Sequence, residues 1–221
     1  MRRLKIKAVI FDMDGVITDT MPFHFRAWEK IFKNEGLHVT ECEIYLREGQ
    51  PGNVTIKEIF RERGLRLSRE ILARILRAKE EMFKESVGRH FISGSRPYIR
   101  TLKSRGYMLA LVTGTARHEV VKILPKSILG LFDVTVAGDE VEKGKPDPEP
   151  YLIALKKLGI KPREAVVLEN APFGIQSARS AGIKCLALET SLPKKYLKGA
   201  YLVFASFDAL RKGVELTLSE D

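Results

Sequence analysis

The sequence predicts an α/β fold, in which a parallel sheet is covered by helices and interrupted by one helical insertion. Short apolar runs rich in β-branched residues alternate with helical patterns along most of the chain. Such alternation is typical of parallel strands joined by helices that cover both faces of the sheet. The exception is residues 18–91, which carry helical patterns but no convincing strand pattern. Ligands bind beyond the carboxyl ends of the strands in such sheets, so the residues after each strand matter most.

Five buried strands and a weaker sixth are predicted from the apolar runs. The first is Lys5–Phe11 (KIKAVIF), which is followed by Asp and Gly. The others are Met108–Thr113, Phe132–Ala137, Ala165–Leu168 and Lys184–Leu188, with the weaker strand at Tyr201–Phe204. Helices are predicted between them, for example over Pro148–Leu158 and Gly174–Ala181.

The insertion predicts a helical cap over residues 18–91, which leaves residues 1–17 and 92–221 as the sheet-bearing core. One helix is expected to start at Thr20, just before a proline, and another at Ser68. The segment is too long for a loop in a compact domain. Because it directly follows the first strand, we expect it to lie over the carboxyl ends of the sheet as a lid.

Composition excludes two classes of protein. With 44% hydrophobic and 30% charged residues among 221, the chain has material for a core and is not wholly disordered. No apolar run approaches the roughly 20 residues of a membrane-spanning helix. The basic and apolar start ends at Asp12 without a cleavage site, so a cytoplasmic protein is expected. The chain has few Gln and Asn residues and many Lys, Arg and Glu residues, a composition typical of proteins from thermophiles.

The net charge of +10 raises the question of a nucleic-acid partner. Residues 17–91 carry a net charge of +2 and the rest of the chain +8. There is no basic run interleaved with aromatic residues and no recognisable nucleic-acid motif. A surface that attracts small phosphorylated anions explains the charge equally well, so nucleic acid stays a remote alternative.

Asp12 and Asp14 directly follow the first predicted strand, in the sequence FDMDG. Residues i and i+2 of an extended chain point to the same side, so both carboxylates can face one site. They repel each other unless a cation or a proton lies between them. A simple turn would also explain Asp and Gly, but apolar residues run straight into the pair. A calcium loop is excluded because Ile17 and Phe23 occupy the positions that need Gly and Glu.

Thr113, Gly114 and Thr115 follow the second core strand. Hydroxyls, a glycine and nearby main-chain N–H groups can close around a phosphate, although most such triplets only cap a helix. Lys145 stands in KGKPDP, where the following proline favours an extended backbone and a fixed ammonium could serve an anion.

Glu169 and Asn170 follow the strand Ala165–Leu168 and precede a Pro/Gly turn into a helix. An acid at such a position is more often a helix cap than a ligand. Four sites of this kind at the ends of parallel strands, however, meet at one edge of the sheet. Their coincidence favours a shared function over four separate caps.

Together these motifs resemble the haloacid dehalogenase-like hydrolases. The matching segments are FDMDGVITDT, LVTGT, KGKPDPEPY and VVLENAPFGIQSARSAGI, in the family's order and over nearly the whole chain. MPFHFRAWEK and LREGQPG further resemble the helical-cap branch that contains β-phosphoglucomutase and sugar-phosphate phosphatases. The resemblance implies a Rossmann-like core, a helical cap and Mg²⁺-dependent phosphoryl transfer through an aspartyl phosphate.

The resemblance also implies roles for single residues. Asp12 is expected to be the nucleophile, and Asp14 the acid that protonates the leaving alcohol and then the base for water. Thr113 and Lys145 are expected to hold the phosphoryl oxygens. The second acid argues against dehalogenation, because a C–Cl bond has no leaving oxygen to protonate.

The expected Mg²⁺ ligands are Asp12, the Asp14 main-chain carbonyl, Glu169 and Asn170. The family usually carries Asp where this chain has Asn170. An amide oxygen can bind Mg²⁺, but it removes one negative charge from the site, so that ligand stays open.

Candidate substrate-binding residues are Gly114 and Thr115 in the core and His24 and Arg47 in the cap. Arg47 begins the stretch Arg-Glu-Gly-Gln, a cap loop that could reach the leaving group. We expect a phosphatase acting on a small phosphorylated metabolite, above all a sugar phosphate. A phosphosugar mutase uses the same strand ends and stays an alternative, as does, more remotely, a non-catalytic protein that binds nucleic acid.

Overall fold

The computed structural model describes residues 1–86 and 90–219, without the side chains of residues 84–86. Its strands are β1 (Arg2–Ile6), β2 (Ala8–Phe11), β3 (Met108–Val112), β4 (Val134–Val136), β5 (Ala165–Glu169), β6 (Lys184–Leu188), β7 (Leu202–Phe204) and β8 (Val214–Leu218). Its α-helices are α1 (Met21–Asn34), α2 (Glu41–Tyr45), α3 (Gly52–Glu62), α4 (Arg69–Ser86), α5 (Ser95–Ser104), α6 (Arg117–Ile123), α7 (Lys126–Leu129), α8 (Glu149–Leu158), α9 (Pro172–Ser180) and α10 (Phe207–Gly213). Within these ranges, no helix is both long and apolar enough to cross a membrane.

Six parallel strands form the main sheet, in the order β4-β3-β2-β5-β6-β7. Strand β2 lies in the middle and all four of its residues are buried. Ile10 packs into the core on the side of α8 and α9, whereas Val9 and Phe11 pack on the side of α5 and α10. The predicted α/β fold with a parallel sheet is confirmed.

The prediction of one strand over Lys5–Phe11 is wrong. The strand is interrupted at Lys7. The main-chain N–H of Lys7 donates to the carbonyl of Glu164, and its carbonyl accepts from the N–H of Met108. Strand β1, before the break, pairs in parallel with β8 in a separate two-stranded sheet. Because β1 lies at the surface, part of it is exposed while β2 is wholly buried. That change of burial within one apolar run marks the boundary.

Four helices, α1 to α4, occupy the segment between β2 and α5. Helix α1 begins directly after Thr20 and α4 directly after Ser68, as the sequence predicts. Helices α2 and α3 were not predicted from the sequence. Helix α2 is stabilised by reciprocal hydrogen bonds between Thr40 and Glu43, 3.2 Å from Glu43 N to Thr40 Oγ1 and 2.7 Å from Thr40 N to Glu43 Oε2. The inserted helical cap is confirmed, and its exact bounds stay a prediction.

Helix α8 offers a matched test of the packing that supports the sheet. Leu155 is buried in the core, whereas Leu152 on the same helix is 45% exposed. We expect Leu155→Ala to lower the free energy of unfolding by about 2–5 kcal/mol, because it removes buried methyl groups and leaves a cavity. Leu152→Ala should change it by less than about 0.5 kcal/mol. Urea unfolding of both variants checks this, and equal effects would contradict the packing described.

Candidate active site

The predicted strand-end residues lie together at one edge of the sheet. Asp12 follows β2, Thr113 follows β3 and Glu169 ends β5, and all three are buried. Lys145 reaches them from the segment before α8 and is only 3% exposed. Its Nζ lies 2.5 Å from Asp12 Oδ1 and 2.7 Å from Glu169 Oε1. One ammonium therefore joins the carboxylates of two adjacent strands.

Both carboxylate oxygens of Glu169 already accept hydrogen bonds. Oε1 accepts from Lys145 and from the Tyr151 hydroxyl at 3.0 Å, and Oε2 accepts from the N–H groups of Asn170 and Ala171 at 2.8 and 3.1 Å. A Cβ added to Gly174 would lie 1.6 Å from Glu169 Oε1, so the first turn of α9 needs glycine there. The geometry makes Glu169 an anchor for Lys145.

Asp14 is surrounded by hydroxyl groups. Its carboxylate accepts from Thr20 Oγ1 at 2.5 Å and from Thr115 Oγ1 at 2.8 Å, with Thr113 Oγ1 at 3.4 Å. His24 Nε2 lies 3.6 Å away. Burial by itself would raise the pKa of Asp14, but His24 and the hydroxyls outweigh it and lower that pKa to about 2. Asp14 is therefore ionised at neutral pH.

Acidic groups outnumber basic groups in the buried cluster around Lys145. Burial raises the pKa of Asp12, and Glu169 and Asp14 raise it further, while Lys145 opposes them. Burial would also lower the pKa of Lys145, but Asp12 and Glu169 raise it well above its ordinary value. A buried cluster with more acids than bases favours binding either a proton or a cation.

Asn170 lies beside this cluster and is fully buried. Its Nδ2 donates to both carboxylate oxygens of Glu48, at 3.0 and 2.9 Å, and to Ser191 Oγ at 2.8 Å. Its Oδ1 is buried without a hydrogen-bond partner among the described residues. Burial raises the pKa of Glu48 well above its ordinary value, and the nearby Asp12 adds to this.

The donor set suits a hard cation such as Mg²⁺, which prefers oxygen ligands. Asp12 offers a carboxylate, and Asn170 offers a buried amide oxygen that nothing else among the described residues uses. In the described part of the chain, no group of three or more His, Cys, Asp and Glu side chains is spaced to hold a metal.

A cleft of about 110 Å³ lies between these residues and the cap. His24 stacks on Phe83 with ring centroids 3.9 Å apart, and Trp28, 6% exposed, lines the same cleft. Arg47 also lines it, but its Nη2 lies 2.6 Å from each carboxylate oxygen of Glu62. The predicted cap residues are thus at the cleft, with the Arg47 guanidinium paired within the cap.

The core loop after β3 touches the cap directly. A Cβ on Gly114 would lie 3.4 Å from the carbonyl oxygen of Gly49, so the two backbones are in contact. Thr115 lines the cleft and donates to Asp14, as described above. Gly114 and Thr115 therefore stand at the cap–core boundary, where the sequence analysis expects substrate contacts.

Lys79 lines the cleft and was missed by the sequence analysis. Its Nζ lies 4.8 Å from the centre of the Phe83 ring and 5.6 Å from the Trp28 ring. Burial lowers the pKa of this lysine. The available signal was a lysine on the apolar face of α4, four residues from both Ile75 and Phe83.

Comparisons with known proteins agree with this geometry. Residues 9–188 match the model of the family described as haloacid dehalogenase-like hydrolase. The chain belongs to this family. A phosphorylated carbohydrates phosphatase of Thermotoga maritima is 36% identical over 182 residues, covering 81% of this chain and 83% of that protein. A fructose-1-phosphate phosphatase of Escherichia coli is 32% identical, covering 79% and 92%.

A solved structure of a proposed beta-phosphoglucomutase from Bacteroides vulgatus has a TM-score of 0.85 and 38% identity to this chain. It covers 95% of this chain, which covers 88% of that one. The matches with named phosphatases identify the chain as a phosphatase-type enzyme of the haloacid dehalogenase-like family.

Tyr151→Phe tests the anchoring of Glu169 in this haloacid dehalogenase-like site. The change removes a hydroxyl donor to a buried carboxylate and leaves the ring. We expect the free energy of unfolding to fall by about 1.5–3 kcal/mol, the range for hydrogen bonds to charged groups. Tyr201→Phe, at a residue 42% exposed, is the matched control and should be nearly neutral. Equal unfolding curves for both variants would show that Tyr151 does not hold Glu169.

Proposed function

We propose that this enzyme hydrolyses the phosphate ester of a small phosphorylated metabolite, a sugar phosphate, with Mg²⁺ and through an aspartyl phosphate on Asp12. One observation carries the proposal: the Lys145 ammonium is held between Asp12 and Glu169, with the second acid, Asp14, in the same buried site. That set provides a nucleophile, a fixed positive charge and an acid–base group within one cleft.

The difficulty of the reaction explains why several groups are needed. Hydrolysis of phosphate monoesters requires accelerations of up to ~10²¹, or roughly 28 kcal/mol at about 1.36 kcal/mol per decade. A general acid alone supplies about 10²–10⁴. The remainder must come from nucleophilic attack, positioning and charge stabilisation acting together.

Asp12 attacks phosphorus, and its carboxylate displaces the alcohol to give an aspartyl phosphate. Lys145 restrains Asp12 and, with Thr113, stabilises negative charge on the phosphoryl oxygens. Asp12, the Asp14 main-chain carbonyl and Asn170 would hold Mg²⁺, which would supply Lewis-acid stabilisation of that charge when bound. Because both oxygens of Glu169 are engaged, we assign Glu169 to positioning Lys145 instead of direct ligation.

Asp14 acts on both sides of the intermediate. An ionised Asp14 can take the proton of the water that attacks the aspartyl phosphate. For the first step it must carry a proton, and the negative charge of an incoming phosphate raises its pKa. Thr20 and Thr115 keep its carboxylate in place through either state.

The cap selects the substrate and excludes water when it is closed. Lys79 and His24 line the cleft beside Asp14, so the cap side is suited to a polar, anionic metabolite. A phosphosugar mutase is the second candidate, because Lys79 gives the cap a cationic group of its own that could hold another phosphate. The reaction product separates the two: a phosphatase releases phosphate, whereas a mutase converts glucose phosphates into one another.

Phosphate release from a panel of phosphorylated metabolites tests the proposal. We expect release with Mg²⁺, none with a chelator and none from Asp12→Asn. Asp14→Asn should lower kcat by about 10²–10⁴, the contribution of a general acid. Asp208→Asn, an exposed carboxylate on α10, is the matched control and should keep full activity. Full turnover by Asp12→Asn would refute the mechanism, and isomerisation without phosphate release would favour the mutase.

A further inference from the structure

Glu48 is a cap residue whose carboxylate lies in the core site. It belongs to the segment between α2 and α3, yet it is only 8% exposed. Both of its oxygens accept from Nδ2 of Asn170, the residue directly after β5. Carboxylates are almost never this buried unless they are paired, and an amide N–H is a neutral partner that does not balance the charge.

Close backbone packing holds Glu48 at this place. The next residue, Gly49, has φ of +81°, a conformation that favours glycine. A Cβ there would lie 3.1 Å from Cδ of Lys145, and a Cβ on Gly114 would lie 3.4 Å from the Gly49 carbonyl oxygen. The cap segment therefore contacts both the buried lysine and the loop after β3. A side chain at Gly49 or Gly114 would push the cap segment, and Glu48 with it, away from the core.

Charge and hydrogen bonding together point to a cation. Four buried carboxyl groups, those of Asp12, Asp14, Glu48 and Glu169, lie at this site. The Lys145 ammonium pairs with Asp12 and Glu169, whereas Glu48 is hydrogen-bonded by the neutral Asn170 amide. Excess buried negative charge is costly unless a cation or protons offset it. Independently, Asn170 has a fully buried Oδ1 that no described residue hydrogen-bonds. Its Nδ2 is bound to Glu48, so the amide turns its oxygen away from the cap acid.

We propose that Glu48 supplies from the cap the negative charge that an amide at position 170 does not provide, so that the cation site is complete only when the cap is closed. The inference rests on the proposed function, since the cation is the Mg²⁺ of that reaction. The simpler role for Glu48 is a latch, in which its hydrogen bond to Asn170 holds the cap shut without affecting the cation.

A charge swap separates these roles without measuring activity. Isothermal titration calorimetry with Mg²⁺ alone is run on the full chain as wild type, Glu48→Gln, Asn170→Asp and the double variant. Glu48→Gln should weaken Mg²⁺ binding about tenfold or more, in line with the loss of a group beside a metal site. The double variant moves the charge into the core and reverses the hydrogen bond, so binding should return to within about threefold of wild type.

Two further variants serve as controls. Glu35→Gln removes a cap carboxylate that pairs with Arg74 away from the cleft, and it should bind Mg²⁺ as wild type does. Glu48→Asp keeps the charge and tests the site if Glu48→Gln unfolds, as judged by circular dichroism. It should bind more weakly than wild type, because its shorter side chain draws the charge back from the site.

Tryptophan fluorescence can report whether the cap is closed over the core. Trp28, the single tryptophan, lines the cleft. Mg²⁺ should change its emission in the wild type and in the double variant, but less in Glu48→Gln at the same concentration.

Unchanged Mg²⁺ affinity in Glu48→Gln, or in Glu48→Asp if the first variant unfolds, would overturn the inference and leave only the latch. Failure of the double variant to regain affinity would also overturn it. Wild-type protein without Mg²⁺ binding would refute both this inference and the Mg²⁺ dependence of the proposed function. Normal Mg²⁺ effects without phosphate release from any metabolite would refute the proposed reaction alone.

Discussion

The ion pair of Lys145 with Asp12 and Glu169 is the constraint on which the rest of the site depends. An ammonium buried this deeply is tolerated only because carboxylates contact it directly. Removing one partner of a buried pair typically costs about 3–5 kcal/mol, since the remaining charge is left uncompensated. Glu169, which holds Lys145, must therefore be held in place itself. The Tyr151 hydroxyl and the main-chain N–H groups of Asn170 and Ala171 do this by donating hydrogen bonds to its carboxylate.

This requirement extends to residues with no chemistry of their own. Gly174 is needed because any side chain there would meet the Glu169 carboxylate. Gly49 and Gly114 let the cap backbone lie against the core backbone, next to the same lysine. Glycine at these places brings charged groups from separate elements within reach of each other, and the cleft can close without a gap.

Much of the fold and site could be predicted from the sequence, and the omissions have physical reasons. The strands of the main sheet are nearly continuous apolar runs, because they are buried on both faces, and such runs are easily recognised. The pairing of β1 with β8 was missed because both strands are partly exposed and lie at opposite ends of the sequence. Helix α2 was missed because five residues are too few to show a helical period, and α3 because it begins after Pro51 without a side-chain cap.

The site residues could likewise be predicted where a local sequence pattern positions them. Asp12, Asp14, Thr113 and Glu169 could be placed because parallel strands end at one edge of a sheet, and Lys145 reaches that edge from the segment before α8. Thr20 was predicted as a helix start, but its hydroxyl donates to Asp14 and does not cap α1. Glu48 and Lys79 approach from the cap, and no local pattern shows how two separately folded segments meet. Their contacts depend on tertiary packing alone.

The pairing of β1 with β8 has a consequence for how the protein folds. Arg2 lies opposite Val214, so this short sheet forms only after residues far apart in sequence have met. Contacts of such long range slow folding, because chain entropy is lost before they form. Strand β2, which leads to Asp12, continues directly from β1 through Lys7. The strand that leads to Asp12 is thus fastened at its start by a contact that we expect among the last to form.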